Sequence, residues 1–223
     1  MDAIPGARGS GALLGGRYEV GALVGLGGTA RVYRARDDVG DTTVAVKIFP
    51  AGSGAGPGGD GSQELAVLSG MRHPALVGVR DSGVDDEGRP FVVMDFVEGQ
   101  SLAARLRDGV LSVPAAIRSG AVLADALAHV HARGIVHRDV KPSNVFLVER
   151  RTDRVKLLDF GIARLAGSAT LTVTGMVVGT PIYMAPEQAR GASDLDARVD
   201  VYALGALMFR CLAGRPPFLG ESI

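Results

Sequence analysis

Apolar and polar residues alternate with a period of two over much of the first hundred positions, and this alternation predicts strands. Tyr18 to Val24, Ala30 to Arg36 and Thr43 to Phe49 are rich in Val, Tyr and Ile and are separated by Gly or Asp turns, so they read as an antiparallel meander. Leu76 to Val84 and Pro90 to Phe96 read as two more strands around the turn Asp85-Asp86-Glu87-Gly88. Between these groups, Gln63 to Met71 has apolar residues at 65, 67, 68 and 71, enough for a short helix. From Ser101 the period becomes helical. Ser101 is placed to cap a helix through Leu106, and Ser112-Val113-Pro114 starts a long one with apolar residues at 117, 121, 124, 127 and 128. The expected fold class is α+β, a small antiparallel β-sheet half with one helix followed by a mainly helical half.

Composition narrows the functional classes. A chain of 223 residues can bury a core in one domain of two layers or lobes without disulfide or metal staples. Lys and Arg number 24, and so do Asp and Glu, so no general basic field exists to hold nucleic acid or an anionic membrane. The single cysteine, Cys211, excludes an intrachain disulfide and a Cys-rich metal site; it fits a reducing compartment and reads as core packing. Met1 to Gly16 has neither a basic start nor a continuous apolar run, so no signal or membrane anchor is expected there. Leu165 to Pro186 is uncharged and long enough to span a bilayer, but its threonines, glycines and prolines make it a poor membrane helix and a natural mobile loop. His129, His131 and His137 form a His-x-His-x5-His pattern that no neighbouring Cys or carboxylate completes as a metal site.

Candidate chemistry begins at Gly25-Leu26-Gly27-Gly28-Thr29-Ala30. A dinucleotide fingerprint needs a helix after its glycines, and a Walker loop needs Gly-Lys-Ser/Thr; here a strand-like run, Arg31 to Ala35, follows instead. A glycine turn between antiparallel strands can lie over a triphosphate and offer it backbone N–H groups. Taken alone, the same residues also make an ordinary hairpin.

Four further motifs decide between these readings. Val44-Ala45-Val46-Lys47, then His137-Arg138-Asp139-Val140-Lys141-Pro142-Ser143-Asn144, Asp159-Phe160-Gly161 and Ala185-Pro186-Glu187 stand in the order and spacing of protein kinases. Over residues 17 to 223 the chain resembles the Hanks-type serine/threonine protein kinases, and the stretches around His137 and Ala-Pro-Glu-Gln are most similar to the bacterial branch. The resemblance implies a two-lobed fold, with a flexible tail at 1–16, an N-lobe with hinge at 17–97 and a C-lobe at 98–223. It implies transfer of the ATP γ-phosphate to Ser or Thr hydroxyls of proteins.

By that resemblance Asp139 orients the hydroxyl and takes its proton, Lys141 meets the γ-phosphate, and Asn144 and Asp159 hold Mg2+ or Mn2+. Lys47 contacts the α- and β-phosphates and pairs with Glu64. ATP lies against Gly25, Leu26, Gly27, Gly28, Val32, Ala45 and Phe146, with Met94 as gatekeeper and Asp95-Phe96-Val97 as hinge. Leu68, Val79, His137 and Phe160 form a stack anchored by Asp200, an acid whose position would otherwise read as a simple helix cap. Thr180 bridges Asp139 and Lys141, while Arg138 receives phosphate placed on Thr172 or Thr174 of the activation loop. The expected partners are protein substrates and a second copy for autophosphorylation in trans, in the cytoplasm.

Two departures from the family pattern stand out. Ala30 replaces the third glycine of the phosphate loop, and a glycine tract precedes Glu64 where relatives have helix. Kinases also continue beyond the segment that ends here, with an arginine that pairs with the counterpart of Glu187, so the resemblance implies a C-lobe lacking its last helices. A nucleotide-binding scaffold without turnover is the other functional class these motifs allow.

Overall fold

The computed structural model describes residues 13–26, 30–53, 62–159 and 181–218. By their contacts these fall into two compact units, one comprising residues up to Gly70 together with Val79–Phe96, the other Met71–Gly78 and the chain from Val97 onward.

In the first unit, β1 (Tyr18–Leu26), β2 (Arg31–Asp37), β3 (Thr42–Ile48), β4 (Val79–Val84) and β5 (Pro90–Asp95) form an antiparallel sheet in the order β1-β2-β3-β5-β4. Helix α1 (Ser62–Gly70) packs on β4. Because side chains on paired positions share a face, the register sorts the residues. Tyr33, Val46 and Val93 lie in one row, Ala35 and Val44 in the next, and Ile48 pairs with Phe91; together with Tyr18 they make the buried core. Each large apolar side chain buried this way contributes about 1.5–3 kcal/mol. The intervening positions occupy the other face, with Val32, Lys47 and Val92 in one row and Arg34, Ala45 and Met94 in the next.

Phe91 explains one glycine. A Cβ at Gly83 would stand 2.5 Å from the Phe91 ring, so only hydrogen fits there. Beside the start of β1 the Arg17 guanidinium grips Asp37 with two bonds of 2.7 Å, and the Tyr18 hydroxyl donates to Asp81 at 2.6 Å. Asp37 is 3% exposed and also accepts the Val39 N–H in the β2–β3 turn. The bonded guanidinium holds its carboxyl at about 2, below the usual 3.8.

The sequence expectation of a strand from Leu76 is corrected here. Pairing in β4 begins at Val79, and Leu76 instead bridges to Leu157, with Val77 N–H donating to the Leu157 carbonyl and Leu157 N–H to that of Ala75. A run of apolar residues fits a buried loop as well as a strand, and backbone pairing with a distant segment settled the matter.

In the second unit, β6 (Gly99–Ser101), β7 (Val145–Val148) and β8 (Val155–Leu157) form a small antiparallel sheet. Helix α2 (Leu102–Arg105) starts as expected, with Ser101 Oγ accepting from Ala104 N–H at 3.1 Å. Helix α3 (Val113–His131) starts at its Ser112 cap, worth about 1 kcal/mol, with Pro114 in the first turn. Helices α4 (Pro186–Ala189) and α5 (Arg198–Ala213) complete the unit, and α5 packs on α3.

The buried face of α3 differs from the one its apolar spacing suggests. Ala116, Ser119, Leu123, Ala126, Leu127 and Val130 are buried, whereas Ile117 is 64% exposed and Ala121, Ala124 and Ala128 are also exposed. Alanines line nearly every side of this helix and carry no phase. Leu123, Leu127 and Val130 decide which side faces inward. Ser119 then reaches the Thr152 carbonyl at 2.6 Å and ties the β7–β8 hairpin to the helix.

Cys211 is fully buried, and desolvation pushes its thiol up to about 11, as expected of a packing residue. Among the described residues no helix is long and apolar enough to cross a membrane.

At the end of α3, the His129 ring lies tilted against that of His73 with centroids 5.0 Å apart. His73 accepts from Ala75 N–H through Nδ1 and donates to Asp125 through Nε2 at 3.0 Å. Burial, then Arg133 and His73, lower the His129 pKa, and Asp125 opposes them.

Two outcomes are expected. His129 favours the folded state when neutral, so its contribution is complete above the ordinary imidazole range near 6.5 and fades as the pH falls below it. His129→Phe should narrow the difference in Tm between about pH 8 and about pH 5.5, measured by calorimetry. Asp37 has the same sign in a more acid window, its contribution being complete above 3.8 and lost as the pH falls through about 2. Asp37→Asn should lower Tm at neutral pH and flatten the acid limb of a pH–stability curve.

Candidate active site

On the face of the first sheet opposite its core, Val32, Ala45, Lys47 and Met94 sit in two adjacent rows, so pairing alone brings four predicted site residues together. Gly25 extends the Val32 row onto β1. The Lys47 ammonium lies 5.4 Å from the Phe49 ring centroid and is half-buried. Leu26 is 76% exposed at the end of β1. Asp95 holds Arg80 at 2.7 Å, and the Arg34 guanidinium covers the Phe96 ring at 5.2 Å. Leu68 and Val79 are buried in this unit. Gly27, Gly28 and the side chain of Glu64 lie outside the described residues.

The second unit assembles the remaining groups on the loop between α3 and β7. Asp139 accepts from the Lys141 ammonium at 3.0 Å on Oδ1 and 2.8 Å on Oδ2. It also accepts from Asn144 Nδ2 at 2.8 Å, and the same amide group donates to the Asp139 carbonyl at 2.8 Å. The spacing explains the convergence, since the turn at Pro142–Asn144 folds the chain back so that residues two and five after Asp139 both return to it. Asn144 is buried, Asp139 and Lys141 are partly open to solvent, and the Asn144 carbonyl accepts from Leu158 N–H beside Asp159.

This loop is held from beneath by Asp200, a fully buried residue in the first turn of α5. Its Oδ2 accepts from His137 N–H and His131 Nε2, both at 2.7 Å, and its Oδ1 from Arg138 N–H at 2.8 Å. The simple helix-cap reading is thus replaced by a clamp on a distant loop. Arg138 needs the clamp. Its φ of 64° lies in the left-handed region, which costs a non-glycine residue about 1–3 kcal/mol unless its surroundings impose it. Asp159 has a similar φ of 52°.

The imidazole of His137 is fully committed. Its Nδ1 accepts from Asp139 N–H at 3.3 Å, and its Nε2 donates to the Leu158 carbonyl at 2.9 Å. Because an amide only donates and a carbonyl only accepts, the roles of the two ring nitrogens are fixed.

Val97 and Phe146 belong to this unit and are half-buried, Phe146 pairing with Ser101 and Lys156 in the small sheet. Glu187 makes no salt bridge among the described residues, although its charge helps raise the pKa of Arg198. Phe160, Thr172, Thr174 and Thr180 lie outside the described residues. One contact was missed by sequence reasoning: Gln188 Nε2 donates to the Arg138 carbonyl at 2.7 Å. Its signal was the Gln after Ala-Pro-Glu, which the motif comparison noted without a role.

Residues 18–223 match the family model described as protein kinase domain, and the chain belongs to that family. Its relatives include bacterial serine/threonine kinases. It is 41% identical over 94% of its length to a probable serine/threonine-protein kinase, SCO3848, of Streptomyces coelicolor. It is 42% identical over 95% to the DNA damage-responsive serine/threonine-protein kinase RqkA of Deinococcus radiodurans, and 40% over 94% to the serine/threonine-protein kinase PknB of Mycobacterium leprae. The matched regions are 32% to 34% of those proteins, so the chain spans about a third of their length. Among solved structures, Rad53 1-466 in complex with AMP-PNP matches 92% of this chain and 51% of its own, with a TM-score of 0.74 and 28% identity. The fold is therefore the protein kinase fold, with an antiparallel sheet in one part and helices in the other.

The clamp sets a stability prediction. Asp200→Ala leaves two backbone N–H groups and one imidazole without their acceptor, at a cost of about 3 kcal/mol or more. Denaturant unfolding should show this loss, well above the roughly 0.5 kcal/mol of an ordinary surface substitution.

Proposed function

We propose that this chain is the catalytic part of a serine/threonine protein kinase that moves the γ-phosphoryl group of ATP onto protein hydroxyls. The observation that carries this reading is the Asp139 carboxylate, held between Lys141 and Asn144 on a loop clamped by Asp200. Kinship with serine/threonine kinases and the AMP-PNP complex of a solved relative support it.

In the transfer, the bond from the γ-phosphorus to the oxygen bridging it to the β-phosphate breaks, and a bond to the substrate oxygen forms. The hydroxyl proton passes to Asp139, and ADP leaves. Most of the acceleration comes from placement and charge rather than covalent help. Lys141, already paired with Asp139, offsets charge developing on the γ-phosphate oxygens. The nucleotide is assigned to the face bearing Val32, Ala45, Lys47 and Met94, together with the Gly25–Gly28 turn, Asp95 to Val97 and Phe146. Lys47, with Glu64, serves the α- and β-phosphates.

Asn144 and Asp159 are assigned to Mg2+ or Mn2+. The Asn144 amide nitrogen is turned to Asp139, which leaves its oxygen as a neutral hard donor, and Asp159 would add a carboxylate. When bound, such an ion neutralises phosphate charge.

Thr172 and Thr174 are the assigned autophosphorylation sites, their phosphates paired to Arg138. Thr180 is assigned to bridge Asp139 and Lys141, as in the serine/threonine arrangement, and Glu187 to pair with an arginine as in related kinases. Autophosphorylation proceeds between two copies. The domain is assigned to the cytoplasm, where ATP is supplied, whether or not the full-length protein is held at a membrane.

With γ-labelled ATP and casein, the full-length protein should yield phosphoserine and phosphothreonine. Lys47→Met, Asp139→Asn and Asp159→Ala should each lower transfer by about a hundredfold or more. Mass spectrometry should find phosphate on Thr172, Thr174 or both, at a rate rising with protein concentration. Nucleotide binding without transfer would assign the chain to scaffolding instead.

A further inference from the structure

The peptide linking Arg138 to Asp139 decides where the Asp139 side chain starts. Its N–H donates to His137 Nδ1 at 3.3 Å, and its carbonyl accepts from Gln188 Nε2 at 2.7 Å. The preceding N–H, that of Arg138, goes to Asp200 at 2.8 Å. Successive polar groups of this backbone are therefore held by three side chains from three parts of the chain. His137 belongs to the loop itself and Asp200 to α5, whereas Gln188 is the contribution of α4.

We propose that Gln188 is a positioning residue for phosphoryl transfer, acting through the Arg138 carbonyl to set the plane of the Arg138–Asp139 peptide and thereby the direction of the Asp139 carboxylate. The proposal rests on the kinase reading above. A carbonyl only accepts, so the position requires a donor; glutamine supplies one on a side chain long enough to reach from α4 and carries no charge that would compete for Asp139 or Lys141. The anchor is itself well placed. Ala185, which precedes α4, is fully buried, Tyr183 is buried, and the helix closes with Ala189 and Arg190 N–H donating to the Ala185 and Pro186 carbonyls. The Arg138 backbone, at φ 64°, lies in a region that a non-glycine residue leaves when its restraints are removed. Without Gln188 this peptide plane keeps only the longer bond of its N–H to His137 and can tilt about it, while Asp200 still holds the preceding Arg138 N–H. Asp139 then loses its aim while the loop stays in place.

Phosphorylation of casein by the full-length protein tests this with three forms. Gln188→Ala should lower kcat about tenfold to a hundredfold, with KM for ATP within about twofold and an unchanged nucleotide-binding constant. Gln188→Glu keeps the shape but faces the carbonyl with a carboxylate, which donates only when protonated. Its activity relative to the unmodified protein should climb as the pH is lowered from about 8 to about 5.5, whereas the Gln188→Ala ratio stays flat. A role in packing alone would give no such recovery. The proposal falls if Gln188→Ala retains kcat within about twofold, or if the Gln188→Glu ratio does not change with pH. It also falls, together with the kinase reading, if the unmodified protein transfers no phosphate; an active unmodified protein with full activity in both variants removes the Gln188 role alone.

Discussion

Asp200 carries a charge into the interior and is left with no water around it, which is costly unless every lone pair finds a donor. It finds two consecutive backbone N–H groups and an imidazole, all at 2.8 Å or less. The arrangement works in both directions. The loop needs an acceptor for N–H groups that no helix or strand can use, and the carboxylate needs donors that the first turn of its own helix does not supply. Asp139, Lys141 and Asn144 stand on this loop, so their mutual geometry rests on a residue about sixty positions away in sequence.

The first unit solves a different problem with simpler means. A sheet has two faces, and the period of two along β2, β3 and β5 assigns one to the core and the other to chemistry. Lys47 stands between Val46 and Ile48, both core residues, yet pairing with Val32 and Val92 turns it to the opposite side. A shift of one residue in this register would bury its ammonium and expose the valines. The apolar packing of Val44, Val46 and Phe91 therefore also orients the lysine.

Legibility in the sequence followed the range over which each feature is determined. Strands β1 to β3 and the Ser101 and Ser112 caps depend on near neighbours, and their patterns were readable. The catalytic loop was readable for another reason, because its residue types stand at fixed short spacings dictated by the chemistry. The buried face of α3 was not readable, since alanine is equally at home on either side and the packing of α5 decides. Leu76 went astray because its partner, Leu157, is a distant residue. Gln188 was visible as the residue after Ala-Pro-Glu, but its role was not, since that lies in a hydrogen bond to a carbonyl 50 positions earlier.

The route of the chain between α1 and β4 has a consequence for how the protein comes into being. Residues Met71–Gly78 interrupt the first unit in sequence but belong to the second, where Ala75 and Val77 bond to Leu157 across from Leu76 and the Lys156 ammonium donates to the carbonyls of Pro74 and Leu76. On a ribosome, the five strands of the first sheet all emerge before Lys156 and Leu157 exist. The sheet can pair while its own α1–β4 connection still waits for partners some eighty residues downstream. The connection then docks as the second unit closes, making the two folding events parts of one sequence rather than independent steps. A cut at residue 96, inviting on the linear map, would separate this connection from the residues that complete it.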